Sequence, residues 1–167
     1  MKKTLKFILL LSIVSCGQPT TKQDTENNEQ QTIDGWEILE QANHSIQYPS
    51  NWELDQSGQM GSSFLLFAPL ESEEDKFREN VNMITQDLAG QNIDLDKYTE
   101  ISVEQMKTLI TNSVLVKSER VKNGNEEYQK LIYTGDQGIF HLKFEQYYLV
   151  VNEKAYVLTF TCEHDKF

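Results

Sequence analysis

The sequence predicts an α+β domain: an antiparallel β-sheet of about six to seven strands with a helix packed on its face. Three observations carry that reading. Residues from about Asp96 to Thr111 have helical apolar spacing. From Val114 to the end the pattern is β, arranged as two hairpins. Short apolar runs closed by proline or turn residues precede the helix. Strands on both sides of a single helix form a sheet whose face that helix covers.

The elements follow in chain order. Ser45-Ile46-Gln47-Tyr48 alternates and stops at Pro49, a strand running into the turn Pro49-Ser50-Asn51. Ser63-Phe64-Leu65-Leu66-Phe67-Ala68 is a continuous apolar run ended by Pro69, the pattern of a buried strand. Glu71 to Arg78 is highly charged and predicts an exposed loop, and Val81-Asn82-Met83-Ile84-Thr85 predicts a strand. Asp94 or Asp96 can cap the helix, which offers Tyr98, Ile101, Met106, Leu109 and Ile110 as one apolar face. Val114–Val121 and Glu127–Tyr133 are joined through Asn123-Gly124, a tight-hairpin signal. Phe140–Val151 and Ala155–Cys162 are joined through Asn152-Glu153-Lys154.

The N-terminus reads as an address. Three lysines among the first six residues, an apolar stretch from Phe7 to Val14 and small Ser15 precede Cys16, the pattern of an export signal. Eight residues are too few to span a bilayer, which takes about 20 apolar ones. The tetrad Ile13-Val14-Ser15-Cys16 resembles the bacterial lipobox, in which the cysteine is diacylated and becomes the new N-terminus. Residues 1–15 are then a lipoprotein signal peptide. Residues 16–35 are the lipidated cysteine with a disordered tether, and 36–167 are the folded domain. Between Gly17 and Thr32 the chain is Gln, Thr, Asn and Glu with no large apolar residue, too polar to offset its ordering entropy. A flexible segment of that length reaches roughly 20–25 Å.

Composition narrows the function classes. The signal carries three lysines and no acids, so its removal takes the formal charge from −11 to −14. Such a surface repels nucleic acid. After cleavage the cysteines are Cys16, which would be acylated, and Cys162, which lies in an alternating apolar strand and reads as core. Cys162-Glu163-His164 offers a thiol near an imidazole, but a zinc site needs a second ligand pair at usable spacing. His44 precedes a strand, and His141 alternates outward within Phe140–Phe144. Asp94-Leu95-Asp96 and Glu71–Asp75 lack the ligand spacing and central glycine of a calcium loop. There is no glycine-rich phosphate loop and no Gly-x-Ser-x-Gly elbow. The sequence therefore predicts no catalytic residues, no cofactor and no metal site.

The segment Ile46-Gln47-Tyr48-Pro49-Ser50-Asn51-Trp52 resembles the opening of the PsbP/Mog1-like family, where an apolar strand runs into Tyr-Pro-x-x-Trp. The order of elements over residues 36–167 agrees with that resemblance. A physical reading stands beside it: Pro49 ends the strand, and Trp52 folds back to bury its ring over the sheet end. The resemblance implies a binding or scaffold module rather than an enzyme. Members of the family usually finish with a helix after the last strand. This chain stops at Glu163-His164-Asp165-Lys166-Phe167, where that helix would begin, which implies truncation or an early stop.

The expectation is a non-enzymatic binding or scaffold lipoprotein of a bacterial cell envelope. It is held to the bilayer through acylated (palmitate-type) Cys16 and engages an unidentified envelope protein through a sheet face or the loops around Trp52 and Glu71–Arg78. The alternative is a small-ligand or metal-ion binding envelope protein linked to uptake or stress. Two acyl chains at roughly 0.8 kcal/mol per buried CH₂ anchor stably, whereas one is marginal. Cys16→Ala is expected to move the protein out of the membrane fraction and abolish incorporation of labelled palmitate. A variant that stays membrane-bound and labelled refutes the anchor.

Overall fold

A computed structural model describes residues 33–124 and 126–166. The signal, Cys16 and residues 17–32 lie outside the described residues. The elements are β1 (Trp36–Gln41), β2 (His44–Pro49), β3 (Glu53–Asp55), β4 (Ser62–Phe67), β5 (Asn80–Asp87), α1 (Leu95–Leu109), β6 (Thr111–Asn123), β7 (Glu126–Gln137), β8 (Phe140–Val151) and β9 (Lys154–Glu163). Seven strands form one antiparallel sheet in the order β3-β4-β5-β9-β8-β7-β6, while β1 and β2 pair as a separate hairpin. The expected fold class is observed, with the helix on one face. Two strands were not foreseen. β1 buries only Leu39 fully, and β3 is three residues long.

Alternation divides the side chains between two faces. On β9, Ala155 and Val157 join the helix-side cluster with Leu131, Tyr133, Leu142, Phe144 and Tyr148. Tyr156 and Leu158 turn to the other side, with Phe64, Leu66, Val81 and Met83. The helix packs across β6, β7 and β8. The β1–β2 hairpin lays Leu39, Ile46 and Tyr48 over the opposite face, on β4, β5 and β9, and Trp52 packs against the same cluster. Tyr48-Pro49 thus ends a strand whose neighbouring tryptophan caps an apolar layer, as its sequence suggested.

Turn chemistry sets the registers. Val151 pairs with Lys154, so β8 and β9 meet through the two-residue loop Asn152-Glu153, with φ of 51° and 56°. That doubly left-handed loop matches the twist of a hairpin. The Asn123-Gly124 signal likewise closes β6 onto β7, with Asn123 opposite Glu126. Asp94 accepts a hydrogen bond from the Lys97 amide at 2.8 Å and caps α1. Within the helix Tyr98 and Met106 are buried, but Leu109 is 78% exposed. It sits in the last turn on the flank of the stripe, so the expected face is narrower than its spacing implied. Gly135 lies where the end of α1 crosses β7: a Cβ there would collide with Cγ2 of Ile110 and lie 3.3 Å from the carbonyl oxygen of Thr111.

The edge strand β6 exposes Val114, Leu115 and Val116. Its register shifts between Thr111 and Val114 and again between Leu115 and Lys117, and such irregularities blunt an edge that could otherwise pair with another chain.

Leu131 is fully buried at the centre of the helix-side core, whereas Ile139 is 90% exposed in the β7–β8 turn. Urea denaturation is expected to show Leu131→Ala losing about 2–5 kcal/mol and Ile139→Ala changing stability by less than about 0.5 kcal/mol.

Candidate functional site

Apart from His141 and His164, the residues singled out for possible chemistry are not brought together. Cys162 is fully buried on β9, and its thiol approaches the carbonyl oxygen of Lys143 at 3.9 Å. Burial, with Glu79 adding to it, pushes the thiol pKa up to about 11. The group is therefore a protonated core side chain at neutral pH, and nucleophilic chemistry needs the thiolate. His164 lies beyond the end of the strand and is half exposed, paired instead with Asp165 at 3.0 Å. Asp94 is a helix cap, and Asp96 binds Arg120. Among the described residues, no group of three or more His, Cys, Asp or Glu is placed to hold a metal ion.

The charged loop is less free than its composition implied. Glu71 to Glu74 are exposed, but Asp75 accepts hydrogen bonds from the backbone N–H groups of Glu71 (3.0 Å) and Phe77 (3.1 Å). These two bonds hold its carboxyl below the usual range, and Lys166 adds to them. Lys166 draws four carboxylates together: Glu71 at 3.0 Å, Asp75 at 3.3 Å, Glu163 at 3.4 Å and Glu79 at 3.7 Å. Phe77 packs on Phe140, ring centroids 5.2 Å apart. The loop is tied to the β9 end of the sheet at both a charged and an aromatic point.

A concavity with aromatic walls lies on the hairpin side of the sheet. It is a hollow of about 500 Å³ between the β1–β2 turn and strands β7, β8 and β9. Met83, Leu149 and Leu158 supply apolar surface, Tyr128, Tyr147 and Tyr156 supply rings, and Glu126 contributes a carboxylate. The Tyr128 and Tyr147 rings stand 5.7 Å apart at 58°. The Tyr147 hydroxyl donates to Glu145, which also pairs with Lys130 at 2.7 Å. Burial alone would raise the Glu145 pKa, but the hydrogen bonds from Lys130 and Tyr147 outweigh it and hold the carboxyl low. Lys130 in turn lies 5.3 Å from the centre of the Tyr147 ring. This network fixes the tyrosine wall.

The turn side of the hollow is equally fixed. Asn43 donates through Nδ2 to the Tyr156 hydroxyl oxygen at 3.0 Å, and its Oδ1 meets His44 Nδ1 at 2.8 Å. A carbonyl oxygen only accepts, so Nδ1 of His44 carries the proton. The opposite nitrogen, Nε2, is shielded from solvent and has no hydrogen-bond partner. That burial lowers the His44 pKa. No sequence signal marked this site, because it requires the hairpin to be laid over strands about 100 residues later in the chain. Polar groups joined by hydrogen bonds thus line a hollow whose walls are aromatic and apolar.

A second cross-strand pair was also missed. His141 and His164 stand with ring centroids 4.9 Å apart. Hairpin arithmetic could have found them: a loop at Asn152-Glu153 places Leu142 opposite Glu163, so the next rung outward is 141 with 164.

The buried state of Cys162 makes a direct prediction. A thiol reagent at neutral pH is expected to leave the folded protein unlabelled and to modify Cys162 fully in denaturant. Rapid labelling of the folded protein would contradict the placement.

No family model matches the chain, and no curated protein matches it by sequence. Solved structures do resemble it. The cyanobacterial PsbP of Synechocystis aligns at a TM-score of 0.58 with 16% identity, over 80% of this chain and 84% of that one. LpqN of Mycobacterium tuberculosis, involved in cell envelope biogenesis, aligns at 0.54 with 15% identity, over 71% and 69%. PA94 of Pseudomonas aeruginosa, a candidate regulator of unknown function, aligns at 0.51 with 10% identity, over 78% and 84%. At these identities the likeness concerns architecture, and in architecture this chain is PsbP-like.

Proposed function

We propose that the protein is a non-enzymatic binding module of a bacterial cell envelope, lipid-anchored through Cys16. The observation that carries this is the tyrosine-walled hollow on a sheet face that the hairpin only half covers. Large amphipathic rings held in place by hydrogen bonds and a cation are the side chains that make binding surfaces at low entropic cost. The envelope role of LpqN accords with the location. The occupant in this reading is a side chain or short segment of an envelope protein. Placing a photo-crosslinking residue at Tyr128 in cells is expected to capture one specific envelope protein, with capture lost when Tyr147→Ala is added. Diffuse or absent capture would overturn the reading.

A second reading, small-ligand binding, is favoured by the volume of the same hollow, since pockets of roughly 300–1,000 Å³ suit small molecules. A thermal-shift scan against metabolites separates the two. A ligand that stabilises the wild-type protein but not Tyr156→Ala identifies the small-ligand case.

A further inference from the structure

We propose that His141 and His164 form a site for a late first-row divalent cation, such as Cu²⁺, Ni²⁺ or Zn²⁺, independent of the hollow. Each imidazole has its Nδ1 against a carboxylate oxygen, His141 to Asp136 at 2.6 Å and His164 to Asp165 at 3.0 Å. An ionised carboxylate only accepts, so both Nδ1 atoms carry protons, and in each neutral ring Nε2 keeps the lone pair a metal needs. A carboxylate behind the ring, fixing tautomer and orientation, is the arrangement that metal-binding histidines use. For His141 the support goes one layer deeper. Asn112 donates to the other oxygen of Asp136 at 2.6 Å, so that carboxylate is itself held in place. The spacing also fits. Two imidazoles bound to one ion at about 2.0–2.1 Å, in tetrahedral or square-planar geometry, have centroids roughly 4.5–5.2 Å apart, and these stand at 4.9 Å.

Position and charge agree. The pair lies at the open end of the β8–β9 hairpin, where both side chains are about half exposed and an ion can arrive from solvent. Imidazole is the ligand that copper, nickel and zinc share, with Cu²⁺ the tightest in the usual order. Asp136, Glu163 and Asp165 are close by in a strongly anionic chain, which raises the local cation concentration. Two protein ligands leave the remaining positions to water, so the site is one for exchangeable metal rather than a structural centre. Neither histidine is needed for the core, so the protein folds without the ion.

The test is metal titration of the untagged full-length chain in detergent, read by calorimetry and by the histidine side-chain resonances. One equivalent of Cu²⁺ is expected to bind saturably and to perturb the His141 and His164 signals first. His141→Ala and His164→Ala are each expected to weaken binding at least tenfold, and Asp136→Asn by about 10–100-fold through loss of the support behind the ring. Melting curves without metal should be unchanged by these substitutions. Equal binding by the His141→Ala/His164→Ala double variant, or no saturable binding at all, would overturn the proposal. Capture of an envelope protein at Tyr128 is unaffected by either result, so this site and the proposed function fail separately.

Discussion

The last strand of the chain is the middle strand of the sheet, and everything else depends on that placement. β3, β4 and β5 form one antiparallel run, and β6, β7 and β8 form another. β9 pairs with β5 on one side, Asn80 opposite Thr161, and with β8 on the other, Lys143 opposite Cys162. Without it the two runs would share no backbone hydrogen bonds. The β8–β9 contact is local and forms through a tight turn. The β5–β9 contact closes a long stretch of chain that includes the helix, so it bears the larger loop-closure cost. Cooperative stability therefore rests on the strand that pairs with both runs.

Because β9 is central, its alternation assigns both faces. Ala155 and Val157 look toward the helix, and Tyr156 and Leu158 look toward the hairpin. The same strand carries Thr159 and Thr161, both buried, between its apolar positions. Buried hydroxyls are tolerated when they find partners, and Thr159 accepts from Gln146 Nε2 at 3.0 Å. On β7, Gln129 is likewise buried and donates to Ser118 on the neighbouring strand at 2.8 Å. These polar rungs fix register, since a one-residue slip would turn each of them to the wrong face.

What the sequence made legible follows from these constraints. β8 and β9 are long, alternating and joined by turn residues, so their existence and pairing could be read. The loop read as Asn152-Glu153-Lys154 is only Asn152-Glu153, with Lys154 paired to Val151, which moves the register by one residue. β4 was legible for another reason: its unbroken Phe64-Leu65-Leu66 run is buried on both sides. β1 was not, because Trp36-Glu37-Ile38-Leu39-Glu40-Gln41 mixes helix-favouring residues with no clear period, and packing on the sheet decides it. The helix was read within two residues at each end, yet Leu109 was assigned to its buried face. Periodicity gives an angle around the axis, not how far the underlying sheet extends. The hollow was illegible because it joins Asn43 and His44 to strands far along the chain. The His141–His164 pair was legible in principle, since it needed only the hairpin register.

Charge shows how an acidic chain holds such a sheet together. With 26 acids against 15 lysines and arginines, each cation has a choice of partners. Several of them act as staples between distant elements rather than as isolated surface pairs, which contribute little. Arg78 joins Glu53 at 2.8 Å to the backbone carbonyls of Phe67 and Ala68, fixing the β3 edge. Arg120 reaches Asp96 on the helix and Glu127 and Gln129 on β7, tying the helix start to the far sheet edge. Lys166 gathers four carboxylates and holds the Glu71–Arg78 loop against the end of β9. Helix and hairpin cover opposite faces at opposite ends, so each leaves half a face to be closed by other means. At the loop end the closing device is a lysine among acids. On the open hairpin-side half it is the Lys130–Glu145 pair beneath the tyrosines. That half stays polar enough to meet water while keeping its aromatic rings in fixed positions.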